Sequence, residues 1–417
     1  MKRLLAISWE MPPMYGPRAT QVSRLLGALT PLGWNSRVVC MDPRRGGPHW
    51  PDGIDVVPPE GVEAVRVASP EERTIVRAVR RLLPSLRNSP DPQSVWIEPA
   101  TTAAVADTRS TPPSGLVSFA QPWSDHLVGL RVHRATQLPW VAHFSDPWVD
   151  SPYWRAPNRS RETAASLEAD VIREATAVVF VTDETADLVM KKYPREWRDK
   201  IAIVPHGFDA GAGVPTASRR PGPLRLVYTG RFYDGIRTPT TLLRALAQLN
   251  TRMPLENALE IDVVGPHVVQ FSRESSALGL EHVVRWRDRV PPAEARAIAA
   301  DADVLLVIDA PSTGPSPFLP SKLVDYLPQC KPIFGITPVE GATARLLRRL
   351  GCPVVAPDDA NGIERGIGDL LKRWREGSLG VERQFTRVVD EFDIRRVAAQ
   401  FHGVLTRAFG VVRAESA

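Results

Sequence analysis

The chain has 417 residues, of which 43% are hydrophobic and 24% charged, with a formal charge of +5. That length and apolar content imply two to three globular domains and exclude a disordered chain. The charge excess is too small and too diffuse for a nucleic-acid-binding surface, so no nucleic-acid partner is expected. Cys40, Cys330 and Cys352 are the only cysteines, with no CxxC and no Cys/His grouping at ligand spacing. A disulfide scaffold or a zinc site is therefore not expected, and a reducing compartment is the default. The apolar run after Lys2 and Arg3 ends at Trp9 and Glu10, and no run reaches the length of a membrane span. The expectation is a cytoplasmic protein, at most peripheral at the inner face of the plasma membrane.

In chain order, "LLAIS" (4–8) reads as a strand, followed by a helical pattern from Thr20 to Leu32 with Val22, Leu25, Leu26 and Leu29 on one face. Residues 42–113 read as an irregular insertion rich in Pro and Arg. Within it, residues 71–87 form a basic amphipathic pattern, with Arg73, Arg77, Arg80 and Arg81 at near-helical spacing. Such a helix suits either solvent or an anionic membrane surface. Further strands follow at 115–119, 140–144, 177–181 and 201–205, then at 224–230, 259–265, 283–286, 303–308, 332–336 and 353–357. Most are continuous apolar runs, which is how strands buried on both faces of a parallel sheet read. "GFDAGAGVPTASRRPGP" (207–223), full of Gly, Pro, Ala and Ser, reads as a linker. The expected domains are 1–207 and 223–390, with a linker over 208–222 and a C-terminal helix and tail over 391–417. Two open parallel sheets bind ligands at the carboxyl ends of their strands, and two facing sheets would form a cleft.

Four stretches could carry chemistry. After the first strand, "SWEMPPMYGPRATQ" turns at Gly16 and opens a helix, whose unpaired N–H groups suit an anion. "TGRFYDGIRTP" (229–239) sets Arg231 and Arg237 around a turn at a strand end, suiting a diphosphate. "PFLPSKLVDYLPQCKPIFGI" (317–336) puts Ser321 where it can cap a short helix, with Lys322 beside the free N–H groups and Asp325 placed to accept from hydroxyls such as a ribose diol. In the first half, "FAQPWSDHL" carries His126 and "HFSDPWVD" carries Asp146, each just after a strand.

Taken together, these segments resemble a family 4 retaining glycosyltransferase (glycosyl transferases group 1) with the two-domain GT-B fold. The resemblance is carried by "TGRFYDGIRTPTTLLRAL", "VPPAEARAIAADADVLLVI" and "LPSKLVDYLPQCKPIFGI", with support from residues 127–148 and 180–209. It implies an α/β protein of two Rossmann-like domains facing a cleft, the last helix crossing back to the first domain. The family shows Gly-Arg and then Lys for the donor diphosphate. Gly230 and Arg231 match that pattern, and Arg237 stands where Lys is usual. Relatives also carry two glutamates eight positions apart. Asp325 stands at the second position and Pro317 at the first, although a branch with a Pro-Ser-Lys-Leu motif also lacks the first. Gly16 stands alone where a Gly-Gly pair is common.

What the resemblance implies is transfer of a sugar from a nucleotide-diphosphosugar to a glycan, lipid-linked or small-molecule acceptor. The donor would meet Gly16, Gly230, Arg231, Arg237, Pro320, Ser321, Lys322, Leu323 and Asp325. Catalysis would involve His126, Asp146, Arg231, Arg237 and Lys322, with no metal and no other cofactor. Two rivals share the fold: a degenerate protein that binds a nucleotide sugar or glycan as an assembly partner, and a nucleotide-sugar epimerase.

Overall fold

The computed structural model describes residues 1–14, 16–43, 57–69, 90–154, 158–209, 222–266 and 269–415. The 71–87 helix and residues 210–221 of the expected linker lie outside the described residues.

The chain forms two compact units, one of residues 1–207 with 393–417 and the other of residues 208–392. The first is built on a parallel sheet of β1 (Lys2–Ile7), β2 (Trp34–Met41), β3 (Val62–Val67), β4 (Gly115–Ala120), β5 (Trp140–Phe144), β6 (Ala177–Phe180) and β7 (Ile201–Ile203), in the order β3-β2-β1-β4-β5-β6-β7. β4 and β5 are buried along their whole length, as expected of strands covered by helices on both faces. One face packs on helices Ile97–Ser110 and Ser124–Thr136, around Trp96, Trp140 and Phe144. The other meets helix Pro17–Leu29 and the C-terminal helix Ile394–Glu415. Val397, Phe401, Val404 and Leu405 of that last helix pack with Leu4, Val117 and Phe119. The ring of Phe409 lies so close to Gly115 that a Cβ there would be 2.4 Å away.

The second unit holds β8 (Leu224–Thr229), β9 (Leu259–Val264), β10 (Val284–Arg287), β11 (Val304–Ile308), β12 (Ile333–Ile336) and β13 (Val354–Val355), all parallel, in the order β10-β9-β8-β11-β12-β13. In both sheets the chain builds outward from the first strand and then restarts on its other side. The reversals fall between β1 and β4 and between β8 and β11. Beside such a reversal two connections leave in opposite directions, which opens a crevice at the strand ends.

The region expected to be an irregular insertion contains regular structure. β3 pairs with β2 from Ser36↔Val62 to Met41↔Val67, and helix Ile97–Ser110 covers the sheet. Trp96 is fully buried and donates from Nε1 to the Val67 carbonyl at 3.2 Å. β3 is an edge strand whose Glu63 pairs with Arg37 at 2.6 Å. Charges of that kind protect a sheet edge and mask it in a reading based on apolar runs.

Candidate functional site

In the second unit, β8 ends in a turn at the reversal point. Gly230 has φ +145°, and its N–H donates to Val264 O at 2.8 Å. A Cβ at Gly230 would sit 2.4 Å from Lys322 Nζ, so the glycine leaves the space that the lysine head fills. Gly265 stands equally close, its Cβ position being 2.4 Å from the Gly230 carbonyl oxygen. Beyond the turn, Tyr233 and Arg237 exchange backbone hydrogen bonds at 2.9 and 2.8 Å. This small bridge folds Arg237 back so that its Nη2 donates to the Arg231 carbonyl at 2.7 Å. Its guanidinium also lies over the Tyr233 ring, 5.0 Å from the centroid.

Lys322 enters from the short helix Ser321–Tyr326. It is half-buried, and Nζ donates to Tyr228 Oη at 2.7 Å while lying 3.9 Å from the centre of the same ring. Burial, and then the nearby Arg237, push its ammonium well below the usual lysine range, while Asp309 pulls the other way. Asp309, just past β11, is itself buried and its carboxyl is raised by that burial. Thr337 Oγ1 donates to it at 2.9 Å. Tyr326 ties the helix to β8: its Oη accepts from the Thr229 N–H at 2.8 Å. The structure thus brings Gly230, Arg237 and Lys322 together at the end of β8, with Arg231 exposed beside them.

Two expectations for this segment are corrected. Ser321 does not cap the helix: Pro320 holds the N-cap position, Ser321 is the first helical residue, and no side chain caps the end. Leu323 is not open to a ligand, because its side chain is fully buried and its N–H is taken by the Pro320 carbonyl at 3.0 Å. Pro320 and Ser321 are half-buried, and Asp325 is exposed one turn into the helix.

In the first unit, the reversal between β1 and β4 holds a buried charge cluster. Arg18, in the first turn of helix Pro17–Leu29, is buried and donates through Nη2 to the Ala120 carbonyl and to Ser145 Oγ. Burial lowers its guanidinium from the usual range, opposed by Asp146, Glu10 and Asp125 in that order. Asp146 is half-buried and accepts from Ser145 Oγ at 2.8 Å and from Gln121 Nε2 at 3.4 Å. Asp125 accepts from the Trp9 N–H at 2.8 Å, and complete burial raises its carboxyl well above the usual range. Glu10 is raised by burial too, against Arg18 and the Ala19 N–H. A small pocket next to Arg18 is lined by Gln21, Phe119, His143 and His206 among others.

His126 is placed otherwise than expected. It is 0% exposed and packed against Phe144 with ring centroids 4.3 Å apart, so it does not present a base to a ligand. Trp140 Nε1 donates to Ser118 Oγ at 2.9 Å, and that oxygen lies 2.8 Å from His126 Nδ1. His126 Nε2 is buried without a partner. Gly16 is the N-cap of its helix with φ −164°, an extended backbone that any residue adopts, so that turn does not demand glycine. The sequence reading missed Arg18, Tyr228 and Asp309. Arg18 left one signal: a cation in the first turn opposes the helix dipole and calls for a tertiary reason.

Among the described residues, no three His, Cys, Asp or Glu side chains gather as a metal site, and no helix is long and apolar enough to cross a membrane.

Residues 18–207 match the family model of the glycosyl transferase 4-like domain. No curated protein sequence matches the chain. Among solved structures, the sucrose-phosphate synthase of Thermosynechococcus elongatus superimposes with a TM-score of 0.73 at 17% identity, covering 99% of this chain and 100% of that one. A trehalose-6-phosphate structure from E. coli bound with UDP-2-fluoro glucose gives 0.67 at 11% identity, covering 97% and 98%. WaaG, a glycosyltransferase involved in lipopolysaccharide biosynthesis, gives 0.60 at 15% identity, covering 97% and 99%. Such identities bear on fold, and the family match bears on the first unit. Residues 18–207 thus match a glycosyl transferase 4-like domain, within a chain whose paired Rossmann-like sheets have the GT-B fold.

Proposed function

We propose that the protein transfers a sugar, with retention of anomeric configuration, from a nucleotide-diphosphosugar to a hydroxyl of a glycan, lipid-linked or small-molecule acceptor. The observation that carries this reading is the gathering of Lys322 and Arg237 at the strand ends of the second unit, with Arg231 exposed beside them. Negative charge grows on the leaving diphosphate as the glycosidic bond breaks. Fixed cations there stabilise the transition state more than the ground state. A diphosphate oxygen takes the proton of the acceptor hydroxyl, whose oxygen bonds to the anomeric carbon on the face the leaving group vacates. In this reading the chain's own cations do the work of charge neutralisation, without a metal. The solved relative bound with UDP-2-fluoro glucose supports a nucleotide-sugar donor. Asp325 is assigned to the ribose hydroxyls and Asp146 to the acceptor side, where its carboxylate can accept from a hydroxyl.

The degenerate-binder alternative keeps one specific support, Pro317 in the place of a family glutamate. A thermal-shift screen with UDP, GDP, ADP and dTDP and their sugar conjugates, on wild type and Arg237→Ala, tests the donor site. A ligand at 100 times its Kd stabilises by about 2.7 kcal/mol. One nucleotide should shift the wild type and not the variant, and its sugar conjugate should turn over roughly a hundred- to thousand-fold more slowly in the variant. No shift with any of them removes the donor-site reading; a shift without turnover on any acceptor selects the degenerate binder.

A further inference from the structure

A single hydroxyl joins the cations of the second unit. Tyr228 is fully buried, and its ring stacks on Phe232 with centroids 4.7 Å apart and planes 6° from parallel. That packing fixes where Oη points. Lys322 Nζ donates to this oxygen at 2.7 Å. The hydroxyl's own proton goes to the Arg231 carbonyl at 3.3 Å, and the same carbonyl accepts from Arg237 Nη2 at 2.7 Å. The groups acting on Lys322 are therefore Tyr228 from β8, Arg237 from the turn after it, and Asp309 from the end of β11. Asp309 accepts from Thr337 Oγ1, and among the described residues it is Tyr228 Oη that lies within hydrogen-bond distance of the lysine head.

We propose that Tyr228 is a positioning residue of the donor site: its hydroxyl aims the Lys322 amino group and couples it, through the Arg231 carbonyl, to Arg237. This rests on the reading that Lys322 and Arg237 face the donor diphosphate. A phenylalanine at position 228 would provide the same stack on Phe232 and the same ring face to Lys322. What the tyrosine adds is the hydroxyl, and that hydroxyl is spent on the two cationic segments. Gly230 fits the same account, because any side chain there would take the space of the lysine head. A long flexible lysine loses considerable rotamer freedom when fixed. A buried partner that fixes it before the ligand arrives removes that loss from the binding step.

The test is Tyr228→Phe, alone and combined with Lys322→Met, with affinities for UDP, GDP, ADP and dTDP and for the matching monophosphates. Loss of one hydrogen bond to a charged group should weaken the diphosphate that binds wild type by roughly tenfold. The monophosphate should change little, and Tyr228→Phe should add no further loss to Lys322→Met. Additive losses, or an unchanged diphosphate affinity in Tyr228→Phe, overturn the proposal and leave Tyr228 as packing. A second readout needs no nucleotide: the pH profile of Lys322 acetylation by acetic anhydride, followed by mass spectrometry. Removing an acceptor of the ammonium should move that profile further down in Tyr228→Phe, and superimposable profiles overturn the proposal. Should wild type bind none of the nucleotides, the donor reading fails, and the acetylation profile still decides whether Tyr228 holds Lys322.

Discussion

Replacing His126 with phenylalanine separates a buried histidine from a catalytic one. The ring is 0% exposed, and burial, then His143 and Arg18, hold it well below its ordinary pKa of 6.5. The unfolded chain binds a proton at this residue below about pH 6.5 and the folded chain does not. Stability is therefore unaffected above that value and is lost as the pH falls toward the folded pKa. At about pH 5 a histidine that stays neutral in the fold costs about 2 kcal/mol relative to neutral pH. His143, pushed down to about 3 by burial, and His206 act in the same direction, while the raised carboxyl of Asp125 acts oppositely. All of these cancel when the variant is subtracted from the wild type. Urea unfolding at neutral pH and near pH 5, followed by tryptophan fluorescence, reports mainly the first unit, since nine of the eleven tryptophans precede residue 208. Near neutral pH Phe keeps the contact with Phe144 and removes a buried nitrogen without a partner, but it takes His126 Nδ1 from the buried Ser118 hydroxyl, which should cost about 1–3 kcal/mol. Between neutral pH and about pH 5 the variant should gain about 2 kcal/mol relative to wild type on top of that offset. Parallel pH curves would refute the burial argument, and a thousandfold loss of turnover in a folded variant would return His126 to the catalytic machinery.

Three further outcomes follow from the same geometry. Gly230→Ala forces a side chain into φ +145°, which should lower stability by about 1–3 kcal/mol and abolish the nucleotide-dependent thermal shift; retention of that shift would contradict the placement of Lys322. Binding of a nucleoside diphosphate should take up protons, because the Lys322 ammonium is held low by burial and Arg237 and an arriving anion raises it. Calorimetry in buffers of different ionisation enthalpy measures the uptake, which should shrink in Lys322→Met, and its absence in wild type would disprove the assignment. Gly115→Ala drives a methyl into the Phe409 ring and should cost about 1–3 kcal/mol of first-unit stability by overpacking. Phe409→Ala in the same chain should recover part of that cost, and strict additivity would show that the two residues do not meet.

What could be read from the sequence depended on whether a contact is local. β4, β5 and β11 were legible because strands buried on both faces are continuously apolar. The gathering of Gly230, Arg237 and Lys322 was legible because they lie in two short stretches at strand ends. The same locality explains the errors. Ser321 follows the usual preference for serine as a cap, but the preceding Pro320 already provides the extended residue that starts the helix. His126 follows a strand, yet position along the chain does not set direction. The ring turns into the aromatic cluster of Trp123, Trp140 and Phe144 instead of toward the strand ends. Arg18 could not be found at all from its neighbours in sequence, because the groups that hold it, Ala120 and Ser145, lie more than a hundred residues away.

Both sheets place cationic side chains at the point where strand order reverses, but the two sets differ in what balances them. In the first unit Arg18 is met by Asp146, Glu10 and Asp125, so its charge is largely answered by carboxylates of the same unit. What remains for a ligand there is an array of hydrogen-bonding groups, in which the half-buried Asp146 suits a hydroxyl. In the second unit Arg237 lowers the Lys322 ammonium rather than supporting it, and the acid acting on the lysine, Asp309, is itself driven toward neutrality by burial. A site whose cations destabilise each other gains most from an incoming anion, because the ligand relieves repulsion as well as forming new hydrogen bonds. The same relief is available to a leaving diphosphate as its charge grows. That asymmetry supports the proposal that the anionic donor binds the second unit and the hydroxyl-bearing acceptor the first.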